Sequence, residues 1–182
     1  RYARAARDSS DRPVGSEDRP HAVLLQSLIL IKAPDAEIRA VYDAARAAVP
    51  DKADFPLIYG TYAWDQNYFT TACEAYAEGI RLHEAYYREG DFSGILAPSA
   101  YARLGEAAGL RGDMQEALRL HEQGLRMNRR FAPLLGSFVR LLERVGTDDA
   151  AVIETLNSLY DRDEDAALLA AVLAGTPFPL AA

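Results

Sequence analysis

The sequence predicts an all-helical fold, an α-α superhelix of about four helix pairs that ends in a C-terminal capping helix. Three observations support this prediction. Alanine, leucine and arginine dominate the 182 residues and β-branched residues are sparse, which favours helix over strand. The chain repeats with a 34-residue period, because that spacing separates Gly112 from Gly146 and Ala117 from Ala151. Small residues also recur where the two helices of one pair would touch.

The composition excludes several classes of function. Hydrophobic residues make up 49% and charged residues 26% of the chain, which is typical of a globular protein. The formal net charge of -7 argues against a nucleic-acid surface. The single cysteine, Cys73, excludes an internal disulfide framework and favours a reducing compartment, so a cytoplasmic location is expected. No apolar run is long enough to span a bilayer. The chain opens with Arg1 rather than methionine, as expected of a piece of a longer protein.

The clearest repeat unit covers residues 98–131. Gly112 is expected to adopt the left-handed backbone conformation that ends the first helix. The residues that carry the pattern are Tyr101, Leu104, Gly105 and Ala108 on the first helix, and Ala117, His121, Gly124 and Leu125 on the second. This pattern resembles the tetratricopeptide (TPR) repeat family over about 150 of the 182 residues. The resemblance implies antiparallel helix pairs and a protein-binding role; the alternative is a non-repetitive helical bundle.

The predicted domain organisation follows this register. We expect residues 1–18 to be a linker or a frayed upstream helix, 19–175 a helical repeat domain with a capping helix at 165–174, and 176–182 a tail. The four repeat units are 19–52, 53–86, 98–131 and 132–165. Unit two matches unit three at a shift of 45 residues, with Asn67 in place of the turn glycine. The insertion, at about 87–97, is expected to be a loop that follows a helix running through Tyr87.

The sequence predicts no catalytic residue, no cofactor and no metal site. His21, His83 and His121 are far apart and lack metal-ligand spacing. Asp161 and Asp163 have the Asp-x-Asp spacing of many glycosyltransferase metal sites, but they follow a helix end, so a solvated helix terminus is the preferred interpretation. His121 stands where the repeat usually has an aromatic residue, which predicts a packed core histidine.

The predicted binding surface is the concave face, which the first helix of each unit lines in such stacks. Trp64 is the only tryptophan, and beside Asp65 it is the expected hot spot for a protein segment. The alternative is that Trp64 packs against the insertion. The register also places Leu57 on this face. The candidate binding residues are Thr61, Trp64, Asp65, Glu106, Arg140 and Arg144. A peptide or protein segment is the expected partner, a glycan acceptor is an alternative, and neither nucleic-acid binding nor membrane insertion is expected.

Residues 53–182 also resemble the repeat region that follows the catalytic domain in some bacterial family 2 glycosyltransferases. The resemblance is carried by the segments 88–91, 107–113, 128–135 and 156–161. It implies that the chain is the non-catalytic C-terminal part of a bacterial glycosyltransferase-like protein. There it would help to bind the acceptor or pack on the parent's own catalytic domain.

Two other interpretations compete with this one. The first is a free-standing peptide-binding adaptor, although only Arg140 and Arg144 would suit a peptide carboxylate. The second is the helical effector domain of a bacterial transcriptional regulator, which the segment 88–96 resembles. The aromatic and basic helix that should follow that segment is missing from the sequence.

Overall fold

The structure, a computed structural model, describes residues 4–5, 18–89, 91–160 and 165–173, and this part of the chain contains helices and no strand. The helices are α1 (Asp18–Leu30), α2 (Asp35–Ala48), α3 (Asp54–Asp65), α4 (Phe69–Tyr86), α5 (Ser93–Leu110), α6 (Met114–Met127), α7 (Ala132–Arg144), α8 (Asp149–Leu159) and α9 (Ala166–Leu173). The chain divides into two compact units, Arg1–Ala100 and Tyr101–Ala182. The predicted tail, most of the predicted linker, and the pair Asp161 and Asp163 lie outside the described residues.

The same turn recurs between the first and second helix of each pair. A residue in the left-handed region ends the first helix at Lys32, Asn67, Gly112 and Gly146. The next residue donates its backbone N–H to a carbonyl five positions earlier, as Asp113 does to Ala108 and Thr147 to Leu142. This hydrogen bond satisfies a carbonyl that the helix end would leave unpaired. The left-handed conformations that the sequence predicts for Asn67 and Gly112 are therefore confirmed.

Each compact unit has its own hydrophobic core. In the first unit, Leu25 and Leu28 of α1 pack with Ile38 of α2 and Ile58 of α3. In the second unit, the core residues come mainly from α6, α7 and α8: Leu125, Leu134, Leu135, Phe138, Val139, Leu142, Val152, Leu156 and Tyr160. Leu168 of α9 packs against that cluster.

Glycines hold the paired helices close together in both units. A β-carbon on Gly60 would lie 2.7 Å from a ring atom of Tyr76, and one on Gly105 would lie 2.4 Å from the His121 ring. Gly105 lies 45 residues after Gly60, and His121 lies 45 residues after Tyr76, which is the shift that relates units two and three. His121 therefore occupies the place of an aromatic ring, as the repeat register predicts.

The insertion is more helical than the sequence predicts. α4 ends at Tyr86 and α5 begins at Ser93, so about half of the expected loop at 87–97 is helix. Pro98, interpreted from the sequence as the start of a unit, lies inside α5. The reason is a long-range contact, because the Asp54 carboxylate accepts a hydrogen bond from the backbone N–H of Ser93 at 2.8 Å. This contact satisfies a donor of the first turn and so favours a helix start before Pro98.

Candidate protein-binding surface

Trp64 lies near the end of α3 and is half-buried. Its ring meets Phe69 edge-on at a centroid distance of 5.1 Å, and its centroid lies 6.3 Å from that of Tyr76. Both of these neighbours belong to α4, not to the insertion. Phe69 is 50% exposed, so Trp64 and Phe69 form an aromatic pair that reaches the solvent.

Polar side chains flank this aromatic pair. Thr61, Trp64 and Asp65 are three and four residues apart on α3, which places them on one face of the helix. Thr61 and Asp65 are both exposed. The Thr61 hydroxyl donates to the Leu57 carbonyl at 3.0 Å and lies 3.3 Å from the Tyr76 hydroxyl, which donates to it. The face therefore presents a hydroxyl and a carboxylate beside the rings.

One residue of the predicted face belongs to the core instead. Leu57 is fully buried, and a β-carbon added to Gly79 of α4 would lie 2.6 Å from a Leu57 methyl group. All residues from 53 to 60 are buried, because α3 packs against α1, α2 and α4 over its first two turns. The surface of α3 thus begins only at Thr61, and the prediction for Leu57 was wrong.

The second unit carries the remaining candidates. Glu106 of α5 and both Arg140 and Arg144 of α7 are exposed. Glu106 forms an ion pair with Arg103 at 3.1 Å, which is exposed and stabilises the fold little. Glu106 raises and Arg140 lowers the pKa of the same buried ring, that of His121. The second unit therefore brings Glu106 and Arg140 to the same region.

His121 itself is a structural residue. It is almost fully buried, its Nδ1 lies 2.7 Å from the Ala117 carbonyl oxygen, and its Nε2 lies 3.0 Å from the Ser137 hydroxyl. A carbonyl only accepts, so Nδ1 carries the proton and Nε2 accepts from Ser137. Burial lowers the pKa of His121, which favours this neutral form.

A serine and a histidine do meet in the first unit. The Ser93 hydroxyl lies 3.0 Å from Nδ1 of His83, and the backbone of Ser93 donates to Asp54. Ser93 is 1% exposed, so a substrate would not reach its hydroxyl. The contact links the insertion to α3 and α4 rather than forming a nucleophile and base. No local pattern could reveal it, since Asp54 and Ser93 are 39 residues apart.

The described part of the chain contains no group of three or more metal-ligating side chains that could hold an ion. Its helices also include none that is both long enough and apolar enough to cross a membrane. Trp64 and Asp65 belong to the first compact unit, and Glu106, Arg140 and Arg144 to the second. That all of them face one concavity stays a prediction.

Comparison with known proteins identifies the fold. Neither a protein-family model nor a curated protein matches the sequence. A solved structure of MamA matches with a TM-score of 0.59 at 15% sequence identity, over 85% of this chain and 83% of that chain. A second MamA structure matches with a TM-score of 0.58 at 17% identity, over 92% of this chain and 80% of that chain. MamA is a TPR-like helical protein. The likeness, together with the all-helical architecture, confirms the predicted fold class: the chain has a TPR-like fold of the α-α superhelix class.

Proposed function

We propose that this chain is a non-catalytic protein-interaction module. It would hold a segment of another protein on the surface formed by the first helix of each repeat unit. The observation that carries the proposal is the solvent-reaching pair of Trp64 and Phe69, flanked by Thr61 and Asp65. Tryptophan is enriched among the few residues that supply most of the binding energy at protein interfaces. The neighbouring hydroxyl and carboxylate would orient the bound segment by hydrogen bonds.

The charges favour a protein partner over a nucleic acid. The first unit offers the Asp65 carboxylate, and the second offers Glu106 together with Arg140 and Arg144. Phosphate backbones are bound by many lysine and arginine side chains, and two arginines among these candidates are too few. A glycan acceptor is the alternative ligand, because sugars also stack on tryptophan.

A narrower proposal places this module behind the catalytic domain of a bacterial family 2 glycosyltransferase. There the surface would hold the acceptor or the catalytic domain itself. The support is the sequence resemblance of segments 88–91, 107–113, 128–135 and 156–161. The gene sequence upstream of Arg1 tests this proposal, which expects a nucleotide-sugar-binding domain in the same reading frame. If none is encoded there, a free-standing peptide-binding adaptor is the better description.

Peptide selection followed by affinity measurement tests the interaction surface. Peptides selected from a random displayed library on the full chain are remeasured by isothermal titration calorimetry. Trp64→Ala is expected to weaken binding at least about tenfold, because truncated hot-spot aromatics lose roughly 2 kcal/mol or more. Ile95→Ala is the matched control: it removes an exposed apolar side chain from α5 and should leave the affinity unchanged.

A second variant separates binding from folding. Trp64 packs on Tyr76, which is buried, so its truncation also perturbs the first unit. Asp65 is exposed, and Asp65→Lys should weaken the same peptides without lowering the melting temperature. If both variants bind the selected peptides as tightly as the unmodified chain, the proposal is wrong.

A further inference from the structure

A cleft opens in the first unit, at the start of α3. It has a volume of about 850 Å³ and lies between α1, the turn before α3 and the segment that joins α4 to α5. This volume is typical of sites that enclose a ligand group. Asp54, at the cleft, and Trp64 are ten residues apart on α3, about 15 Å at 1.5 Å per residue. The cleft is therefore distinct from the aromatic pair of the proposed function.

Two aromatic side chains form part of the cleft wall. Tyr86 is 51% exposed and Phe92 is 40% exposed, and both line the cleft together with Val23 of α1. The neighbouring Tyr87 has a different role. Its ring centroid lies 4.5 Å from that of His83, and a β-carbon on Gly94 would come within 3.1 Å of it. Tyr87 thus packs one side of its ring on α4 and α5 while remaining 47% exposed, whereas Tyr86 lines the cleft.

The charged lining of the cleft is net negative. Its carboxylates are Asp18, Asp51, Asp54, Glu89 and Asp91, and its cations are Arg19, Lys52 and Arg88. The Lys52 ammonium bridges Asp18 at 2.9 Å and Asp91 at 2.7 Å. These two carboxylates share one cation, so the three groups together keep one negative charge. The exposed carboxylates at the rim are Asp51 and Glu89.

Asp54 is the most deeply buried carboxylate of the cleft lining. It lines the cleft, yet the residue is only 5% exposed. Its Oδ1 accepts from the backbone N–H of Ser93, and no described residue donates to its Oδ2. Oδ2 is not sealed inside the protein, so a donor that enters the cleft can reach it. Burial raises the pKa of Asp54, and the positive charge of Lys52 partly offsets this increase.

We propose that this cleft receives a positively charged side chain, a lysine or an arginine, from a segment of a partner protein. The cation would donate to Oδ2 of Asp54 and lie against the ring of Tyr86, and the apolar neighbours of the cation would contact Phe92 and Val23. A cation placed over an aromatic face and beside a carboxylate is stabilised by both groups. The net negative lining favours a basic segment, in keeping with the chain's own net charge of -7.

The test uses two fluorescein-labelled peptides and the full chain. One peptide consists of alternating phenylalanine and arginine residues with glycines at both ends. The other peptide is identical except that glutamine replaces every arginine. Fluorescence anisotropy should show that the arginine peptide binds at least about tenfold more tightly, and that added salt weakens it. Equal binding of the two peptides would overturn the proposal. So would binding of free arginine amide as tight as that of the peptide, because the cleft would then be a small-cation site.

Variants assign the binding to the cleft. Asp54→Asn retains an acceptor for the Ser93 N–H but removes the charge, and should weaken the arginine peptide about tenfold. Tyr86→Ala changes an exposed ring and tests the same cleft if Asp54→Asn fails to fold. Asp65→Asn, an exposed carboxylate on the same helix, is the matched control and should have no effect. Trp64→Ala should also leave this binding unchanged, which separates a failure here from a failure of the proposed function.

Discussion

Gly124 provides a sharp test of the helix-pair register in the second unit. A β-carbon at this position would lie 2.6 Å from a methyl group of Leu134 and 2.9 Å from the β-carbon of Tyr101. The Leu134 methyl group is in a buried core, and the β-carbon of Tyr101 is fixed to the backbone of α5. Neither atom can yield without moving a neighbour, so Gly124→Ala should overpack the contact.

The expected magnitude combines two opposing effects. Overpacking a core costs about 1–3 kcal/mol, whereas glycine to alanine inside a helix usually gains about 1 kcal/mol. Gly124→Ala should therefore lower the free energy of unfolding by up to about 2 kcal/mol, and the larger Gly124→Leu should lower it further. A decrease of 1 kcal/mol corresponds to about 2–4 °C in melting temperature for a chain of this size.

Urea denaturation followed by circular dichroism measures the difference against a matched control. At Gly109 of α5 a β-carbon would meet only the β-carbon of Ala117, at 3.8 Å, which is ordinary contact. Gly109→Ala should therefore be neutral or stabilising by up to about 1 kcal/mol. The same substitution should thus change stability in opposite directions, or nearly so, at the two sites. If Gly124→Ala gains as much stability as Gly109→Ala, or Gly124→Leu leaves the stability unchanged, the helix contact is not where the register places it.

Three further predictions concern His121, Asp165 and the absence of catalysis. The pKa of His121, measured by NMR titration, should lie below its ordinary 6.5, because burial favours the neutral ring. As the pH falls, His121 then takes up a proton more readily in the unfolded chain than in the folded chain, so the free energy of unfolding should decrease as the pH drops through 6.5. An unshifted or raised pKa of His121 would contradict this prediction. Asp165 is almost fully buried and binds Arg129 and Arg130 at 3.2 and 3.1 Å. Asp165→Ala should therefore lower the free energy of unfolding by about 1–3 kcal/mol, measured by thermal denaturation. An unchanged melting temperature would rule out Asp165 as an anchor for α9. With a nucleotide sugar and Mg²⁺ or Mn²⁺ the chain should release no nucleotide, whereas turnover that disappears in Asp161→Ala would show a catalytic site.

The fold could be predicted because its signals are local and repeated. A left-handed residue is needed at each turn, and Gly112 and Asn67 are residues that tolerate it. The close contact between paired helices needs small residues at fixed positions, as at Gly105 against His121. Such requirements recur with the repeat period, so one well-preserved unit indicates the others.

The start of α5 and the burial of Leu57 could not be predicted in the same way. The helix start at Ser93 depends on a hydrogen bond from a residue 39 positions away, which leaves no pattern near Ser93 itself. The repeat register assigns Leu57 to a face, but it carries no information on how much of that face neighbouring helices cover. For the same reason the sequence pointed to Trp64 and Asp65 but not to the cleft at Asp54.

NMR mapping of a selected peptide tests the central claim most directly. The chain has one tryptophan, so the indole N–H of Trp64 gives a single isolated signal in a ¹⁵N–¹H spectrum. If the first-helix surface holds a protein segment, that signal and the amides of Thr61 and Asp65 should shift progressively and saturate with the peptide. An indole signal that stays in place at saturation, while amides of α2 and α4 shift instead, would contradict the claim.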